Sequence, residues 1–490
     1  MNVKMNTWGL PIIFVAINIL SKSLFLISQP ICVDEPFTIY HAQFDFLNLI
    51  HYLENYNNPP LFEIILHFWI KLFGLSVTSV RFLPMLFSSL TVFFIYRIGI
   101  TFFNKRIAIL SSAFYTLSTI NIYFAHDCRV YSLFVLLTTV SFYLFFNLLK
   151  NKEHFSWLNV LLLSLVNLFL IYGHYFGFFV LGLEFLIIIL FYLRDKGVLI
   201  RYFTGSFFIL ACYIPQLLVL WGRTKTSISN GTWVKPPEGI ESIYNMLWTF
   251  CNDPVPTVIC ISLLLITAIF YLLKKDEQIV YPYSKYVIIW FIIPFFFMFF
   301  ISYKVPIFLD RYLLFVSPAF YILLAISLSY LIKGAKAFII GAIVLLSLFI
   351  LSAKLNPSKK RDVEGVVNYI RSKKEEKTII IGCGYDFILN FVYYYNLDHF
   401  KVKDQNFEYT ELENFLAKEN IYFINTLDSN LETKINDFEK VIYLDASANF
   451  SSPNNGIKEK FDVSYKLIDK TFYYELFNIY TFQIKRIKIN

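Results

Sequence analysis

A chain of 490 residues that is 57% hydrophobic and only 16% charged is too apolar for a soluble globular protein, which makes it a polytopic membrane protein. Its formal net charge of +8 suits a protein beside anionic lipids, and nothing in it points to nucleic acid. Six cysteines without C-x-x-C spacing give neither a zinc site nor a redox pair.

Crossing a bilayer takes about 20 apolar residues. Runs that meet this lie at 8–28, 79–101, 106–124, 130–149, 155–171, 175–193, 198–221, 254–273, 284–303, 310–332 and 335–353. They predict about 11 transmembrane helices. The first run lacks a small-residue cleavage site and reads as a retained helix. The stretch 155–193 is too long for one helix and is divided at "YGHYFG".

Residues 61–73, "LFEIILHFWIKLF", are too few to span. Glu63, His67 and Lys71 recur at i, i+4 and i+8, which predicts an interfacial helix with one polar face turned to the surface. The preceding "FTIYHAQFDFLNLI" carries apolar residues at 37, 40, 44 and 47, another helical stripe. Residues 35–75 therefore read as two juxtamembrane helices joined at "NYNNPP".

With the N-terminus inside, the inner loops carry Arg97, Lys105 and Arg106; Lys150 and Lys152; Arg194, Lys196 and Arg201; Lys274 and Lys275; Lys333 and Lys336. That is the positive-inside pattern. The outer side then receives "CVDEP", "NNPP", "AHDCRVY", "GHYFG", the loop 222–253 and "FLDRY". Beyond residue 355 the composition changes. Residues 356–490 alternate short β-type runs ("TIIIGCG", "IYFINT", "KVIYLDAS") with helical stretches and end in a hairpin, a soluble α/β domain. "GCGYDF" has two glycines of a dinucleotide fingerprint but Phe387 where the third should stand, so no nucleotide site is read there.

The outer motifs carry the chemistry. Asp34 and Glu35 have two open readings: a solvated helix start with Pro36 at the first helical position, or catalytic carboxylates. Lys22 likewise either snorkels from its span or has a function inside it. The catalytic reading gains from company on the same side: Asp127, Arg129 and Tyr131 beside His126, His174 with Tyr175, and Arg311 after Asp310. A carboxylate can take a proton from a hydroxyl acceptor. Cations can receive the charge that grows on a departing phosphate.

The stretches "VDEPFTIYHAQ", "NNPPLFEIILHFWIKLFG", "RFLPMLFSSLTVFFIYRIG", "FAHDCRVYSL", "YGHYFGFFVL" and "DRYLLFVSPAF", in this order over roughly residues 8–330, resemble the bacterial membrane glycosyltransferases of the dolichyl-phosphate-mannose protein mannosyltransferase type. Those share the GT-C fold with the aminoarabinose transferases that modify lipid A. The resemblance implies a polyprenyl-phosphate-linked sugar as donor and a hydroxyl acceptor (glycan, lipid or protein). Transfer would take place on the outer face of the cell (inner) membrane. It maps the acid of the first loop onto Asp34 with Glu35 beside it, the second acid onto Asp127, and the basic and aromatic positions after it onto Arg129 and Tyr131. Lys22, Arg129 and Arg311 are the cations expected to hold the donor phosphate. Asn58, His67, Tyr131, His174 and Tyr175 are expected to line the substrate pocket. Asn58 departs from the pattern, since many relatives carry a His or an acid before the two prolines. Asn cannot act as a base and is a weak metal ligand, which weakens the case for a metal site carried over from the family; a divalent metal is compatible with the sequence but not required by it.

The expected architecture is thus a transmembrane glycosyltransferase domain over 1–355 and an extracytoplasmic domain over 356–490. Two other readings compete. A membrane transporter would place its ionisable residues near the midplane on broken helices. A lipid-linked polysaccharide polymerase or ligase would need a large catalytic loop late in the chain.

Overall fold

The computed structural model describes residues 6–55, 58–151, 156–230, 234–273, 281–401, 409–446, 456–473 and 477–484. Lys152, Lys274 and Lys275 of the predicted basic loops lie outside them. The chain divides into two compact units: Met1–Leu26, Leu53–Trp69 and Thr78–Pro357 form the first, and Ile27–Tyr52, Ile70–Val77 and Ser358–Asn490 the second.

The first unit is helical. It contains α1 (Asn6–Ser23), most of α4 (Leu61–Phe73), α5 (Val77–Phe102), α6 (Lys105–Thr116), α7 (Thr119–Ala125), α8 (Tyr131–Lys150), α9 (Trp157–Gly173), α10 (Gly177–Phe191) and α11 (Lys196–Asn230). It continues with α12 (Glu241–Cys251), α13 (Pro254–Leu273), α14 (Ser284–Ile301), α15 (Asp310–Leu313), α16 (Ser317–Leu331) and α17 (Ala335–Ser352). Among the described residues seven helical stretches are long and apolar enough to cross a membrane, and the bent pair α6–α7 makes an eighth. The shorter apolar helices α1, α9 and α10 stand where the remaining predicted spans lie, so every predicted run is helical. The run from α15 through α16 is almost wholly buried and forms the core of the bundle.

Three predictions about these helices need correction. The run 106–124 is not one helix but α6 and α7, bent by 60° at Leu117–Ser118. Ser118 caps α7 by accepting from Asn121 N. The backbone freed at the bend meets one side chain. Asn252 Nδ2 donates to Leu117 O at 2.9 Å, and Thr119 N donates to Asn252 Oδ1 at 2.7 Å. Inside a membrane such a break persists only when these groups find partners. The loop 222–253 is also partly helical, because α11 runs on to Asn230 and α12 follows. Finally, the polar face of α4 is not turned to the surface at its start: Glu63 and His67 are buried, while Lys71 is exposed.

At one end of this bundle Asn104 Nδ2 donates to Tyr281 OH at 2.9 Å, and Lys150 Nζ donates to Thr101 O at 2.9 Å. Tyr192 and Tyr286 share a 2.6 Å hydroxyl contact there. These loops are the predicted basic ones.

The second unit holds α2 (Glu35–His41) and α3 (Phe46–Asn55, up to Tyr52), so the region before "NYNNPP" has two helices where one was expected. Asp45 breaks it by accepting from the backbone N–H groups of Leu47 and Asn48, both at 3.1 Å. The rest is the α/β part: α18 (Val363–Lys373), β1 (Thr378–Cys383), α19 (Ile388–Tyr395), α20 (Leu397–Phe400), α21 (Thr410–Lys418), β2 (Ile421–Ile424), α22 (Ser429–Ile435), β3 (Lys440–Ala446), α23 (Ile457–Ser464), β4 (Lys466–Tyr473) and β5 (Phe477–Gln483). The sheet order is β2-β1-β3-β5-β4. Strands β2, β1 and β3 are parallel, and β4–β5 is the antiparallel hairpin. Gly382 of "GCGYDF" has a packing reason, since a Cβ there would come within 2.4 Å of the Phe423 ring.

Candidate functional site

In the first unit the turn between α7 and α8 carries His126, Asp127 and Arg129. Ser132 Oγ donates to Phe124 O at 2.9 Å, and Arg129 N donates to Asp127 O at 2.7 Å, which closes the turn. His126 Nε2 lies 2.7 Å from Lys22 O, so the end of α1 is tied to it. Arg129 and Tyr131 are buried, and Asp127 is half-buried.

The turn between α9 and α10 lies against this one. Gly177 is required there by close approach, because a Cβ would come within 2.6 Å of Leu170 O. The turn sets His174 on Phe134 and Phe176, with ring centroids 4.7 and 5.2 Å apart. His174 Nδ1 accepts from Phe176 N at 3.2 Å, which leaves Nε2 to carry the ring proton. Loss of solvation, with the Arg129 and Arg311 guanidinium groups nearby, holds His174 down at about 3, so the ring is neutral at physiological pH. Arg311, at the start of the α15–α16 run, lies 6.0 Å from the Tyr131 ring centroid and 5.5 Å from that of Tyr312.

Glu63 completes the group. It is buried in the first turn of α4, and loss of solvation raises its carboxyl above the usual range against the opposing pull of Arg129. The structure thus brings together Glu63, Arg129, Tyr131, His174 and Arg311. Sequence reasoning had left Glu63 out. Its spacing with His67 marked the right helical face, but pattern alone did not say that this face turns inward.

The other expected residues are placed as follows. Lys22 is fully buried; its Nζ donates to Ser88 Oγ at 2.8 Å and lies 5.2 Å from the Tyr115 ring centroid. His67 is buried one turn beyond Glu63, while Asn58 and Tyr175 are half-buried. Among the described residues no group of three or more His, Cys, Asp or Glu side chains is arranged to hold a metal ion. The six cysteines form no disulfide.

Asp34 and Glu35 belong to the second unit. Glu35 is fully buried, and its Oε2 accepts from Lys359 Nζ at 2.6 Å and from Cys32 N at 3.4 Å. Both acids had been put forward for catalysis; the structure engages the Glu35 carboxylate with Lys359. Asp34 starts α2 without capping it through its side chain and remains half-buried. The loop before it is pinned at three points. Ile31 N donates to Tyr394 OH at 2.6 Å, Asn390 Nδ2 donates to Val33 O at 3.1 Å, and Lys359 N donates to Gln29 Oε1 at 3.2 Å. Val33 takes a φ of 61°, an uncommon conformation for a β-branched residue.

Known proteins resemble this chain over part of its sequence and in its fold. Residues 57–219 match the family model described as dolichyl-phosphate-mannose-protein mannosyltransferase. No curated protein matches. ArnT from Cupriavidus metallidurans in the apo state superposes with a TM-score of 0.59 at 13% identity, covering 96% of this chain and 98% of that one. The same protein bound to undecaprenyl phosphate gives 0.60 at 12% identity with the same coverage. The archaeal oligosaccharyltransferase AglB from Archaeoglobus fulgidus, in complex with an inhibitory peptide and a dolichol-phosphate, gives 0.50 at 11% identity, covering 98% of this chain and 75% of that one. The chain therefore has the ArnT-like GT-C fold.

Proposed function

We propose that this multi-pass membrane protein is a glycosyltransferase that moves a sugar from a polyprenyl-phosphate donor to a hydroxyl acceptor on the outer face of the cell membrane. The convergence of Arg129, Arg311 and neutral His174 carries this reading, in a chain with the ArnT fold and the family match over 57–219. Two guanidinium groups near one histidine suit the phosphodiester anion of such a donor and the phosphate monoester that departs from it, which Arg holds through paired, charge-assisted contacts. Residues 1–355 are the catalytic membrane domain in this reading, and 356–490 an extracytoplasmic domain.

The reaction is one displacement. The acceptor oxygen attacks the anomeric carbon as its proton passes to a carboxylate. The bond from that carbon to the phosphate oxygen breaks, and its electron pair leaves with the polyprenyl phosphate. The anomeric centre inverts. Asp34 is the proposed base, with Asp127 as runner-up. Glu35, held by Lys359, fixes the loop that presents Asp34. Asn58, His67, Tyr131, His174 and Tyr175 line the substrate pocket. Lys22 is the third cation for the phosphate, and its Nζ would have to leave Ser88 to touch it.

Binding of undecaprenyl phosphate tests the donor site. Arg129→Ala and Arg311→Ala should each weaken it about tenfold or more, since a hydrogen bond to a charged group contributes about 1.5–3 kcal/mol. Arg→Lys at either position should restore only part of the loss. Undiminished affinity in the alanine variants of Lys22, Arg129 and Arg311 alike would place the phosphate elsewhere.

Sidedness has its own test. Single cysteines at Glu238 and Lys434, with the native cysteines removed, should both react with an impermeant thiol reagent in intact cells. Labelling at Glu238 with protection at Lys434 would put the α/β domain on the inner side.

A further inference from the structure

The carboxyl of Glu63 is only partly accounted for by the pocket around it. The residue is 4% exposed, yet its Oε2 meets no hydrogen-bond donor. Leaving a buried acceptor unsatisfied is costly, and such an atom in a folded protein calls for an explanation. Its charged neighbour is Arg129, which also acts on His174, and His174 is acted on in turn by Arg311. The start of α4 lies against the same turn: a Cβ on Gly173, next to His174, would sit 3.7 Å from Leu61 Cδ2. The unsatisfied oxygen therefore lies in the first turn of a helix packed on the His174 turn, and His174 stacks on Phe134 of α8, the helix that follows Arg129.

In a sugar phosphate the ring is joined to phosphorus through a single oxygen. A phosphate held by Arg129 and Arg311 would present the first sugar ring to the side chains around it, Glu63 among them. A ring hydroxyl is the donor that Oε2 lacks. We propose that Glu63 is a specificity-determining residue that accepts a hydrogen bond from a hydroxyl of the transferred sugar. This rests on the donor reading above and names which part of the donor α4 recognises. The competing role is structural: Glu63 would serve only as counter-charge to Arg129. The two roles differ in what they do to a lipid phosphate that carries no sugar.

The full-length protein in detergent is titrated with two kinds of probe: undecaprenyl phosphate alone, and undecaprenyl-phosphate-linked mannose, glucose and galactose. Glu63→Gln should bind the bare lipid phosphate as the wild type does. It should lose about tenfold in affinity for whichever sugar-bearing lipid the wild type prefers, about one hydrogen bond to a charged group. Equal losses on bare and sugar-bearing lipids would make Glu63 a counter-charge for Arg129 and overturn the proposal. Unchanged affinity for both would also overturn it. Retained binding of the bare lipid shows that the variant is folded. If the Gln amide beside Arg129 prevents folding, Glu63→Asp withdraws the oxygen by one methylene and is read with the same probes. A wild-type chain that binds neither kind of lipid would sink the donor reading itself, a result distinct from any difference between the variants.

Discussion

Asp34→Asn should lower turnover by about 100-fold or more while leaving undecaprenyl phosphate binding intact. The substitution keeps the shape of the side chain and removes its basicity. Binding should survive because the proposed phosphate contacts come from Arg129 and Arg311. The chemical step should suffer because the acceptor hydroxyl loses the group that takes its proton. Asp34 is suited to this by its setting. It follows Val33, whose φ of 61° is a strained conformation for a β-branched residue, costing of order 1–3 kcal/mol. Asn390 holds the Val33 carbonyl in place, and Glu35 is anchored by Lys359 on the other side. A strained, pinned turn fixes the backbone from which the Asp34 carboxylate projects. Wild-type turnover in Asp34→Asn, together with an inactive Asp127→Asn, would move the base to Asp127.

Lys359→Ala is expected to undo the first loop. Both members of the Glu35–Lys359 pair are almost fully buried, so removing the ammonium strands a carboxylate away from water. Breaking a buried pair in this way costs about 3–5 kcal/mol, a large share of the 5–15 kcal/mol that stabilises a typical domain. Hydrogen exchange over residues 27–52 should rise in the intact protein, and activity should fall with it. The double variant Glu35→Gln, Lys359→Met removes both charges together and should recover much of the protection. Full protection in Lys359→Ala alone would mean that Glu35 draws its stability from other partners.

Much of the fold was legible because bilayer and strand periodicities write themselves into the sequence. The apolar runs marked the helices of the bundle, of which seven, or eight with the bent pair, are long and apolar enough to cross a membrane, and "YGHYFG" marked the break between α9 and α10. The strands and the closing hairpin of the α/β part followed from short β-type runs. What escaped was whatever depends on contacts distant in sequence. The bend between α6 and α7 is sustained by Asn252, more than 130 residues away. The inward turn of Glu63 is decided by packing against the α7–α8 and α9–α10 turns, and an i, i+4 stripe cannot say whether its polar side meets water or protein. The pairing of Glu35 with Lys359, 324 positions further on, was likewise beyond the reach of pattern.

That separation has a bearing on how the chain is made. Glu35 and Lys359 stand 324 positions apart, so at about 5–20 residues per second the ribosome takes about 16–65 s to travel from one to the other. Tyr394 and Asn390, which pin Ile31 and Val33, emerge later still. Through that interval the loop bearing Asp34 lacks the groups that shape it, however early its neighbouring helix has entered the bilayer. A nascent or prematurely terminated chain therefore carries the acidic pair without its anchors. The shape of the first loop becomes a property of nearly finished synthesis, and the α/β part acts as its timer.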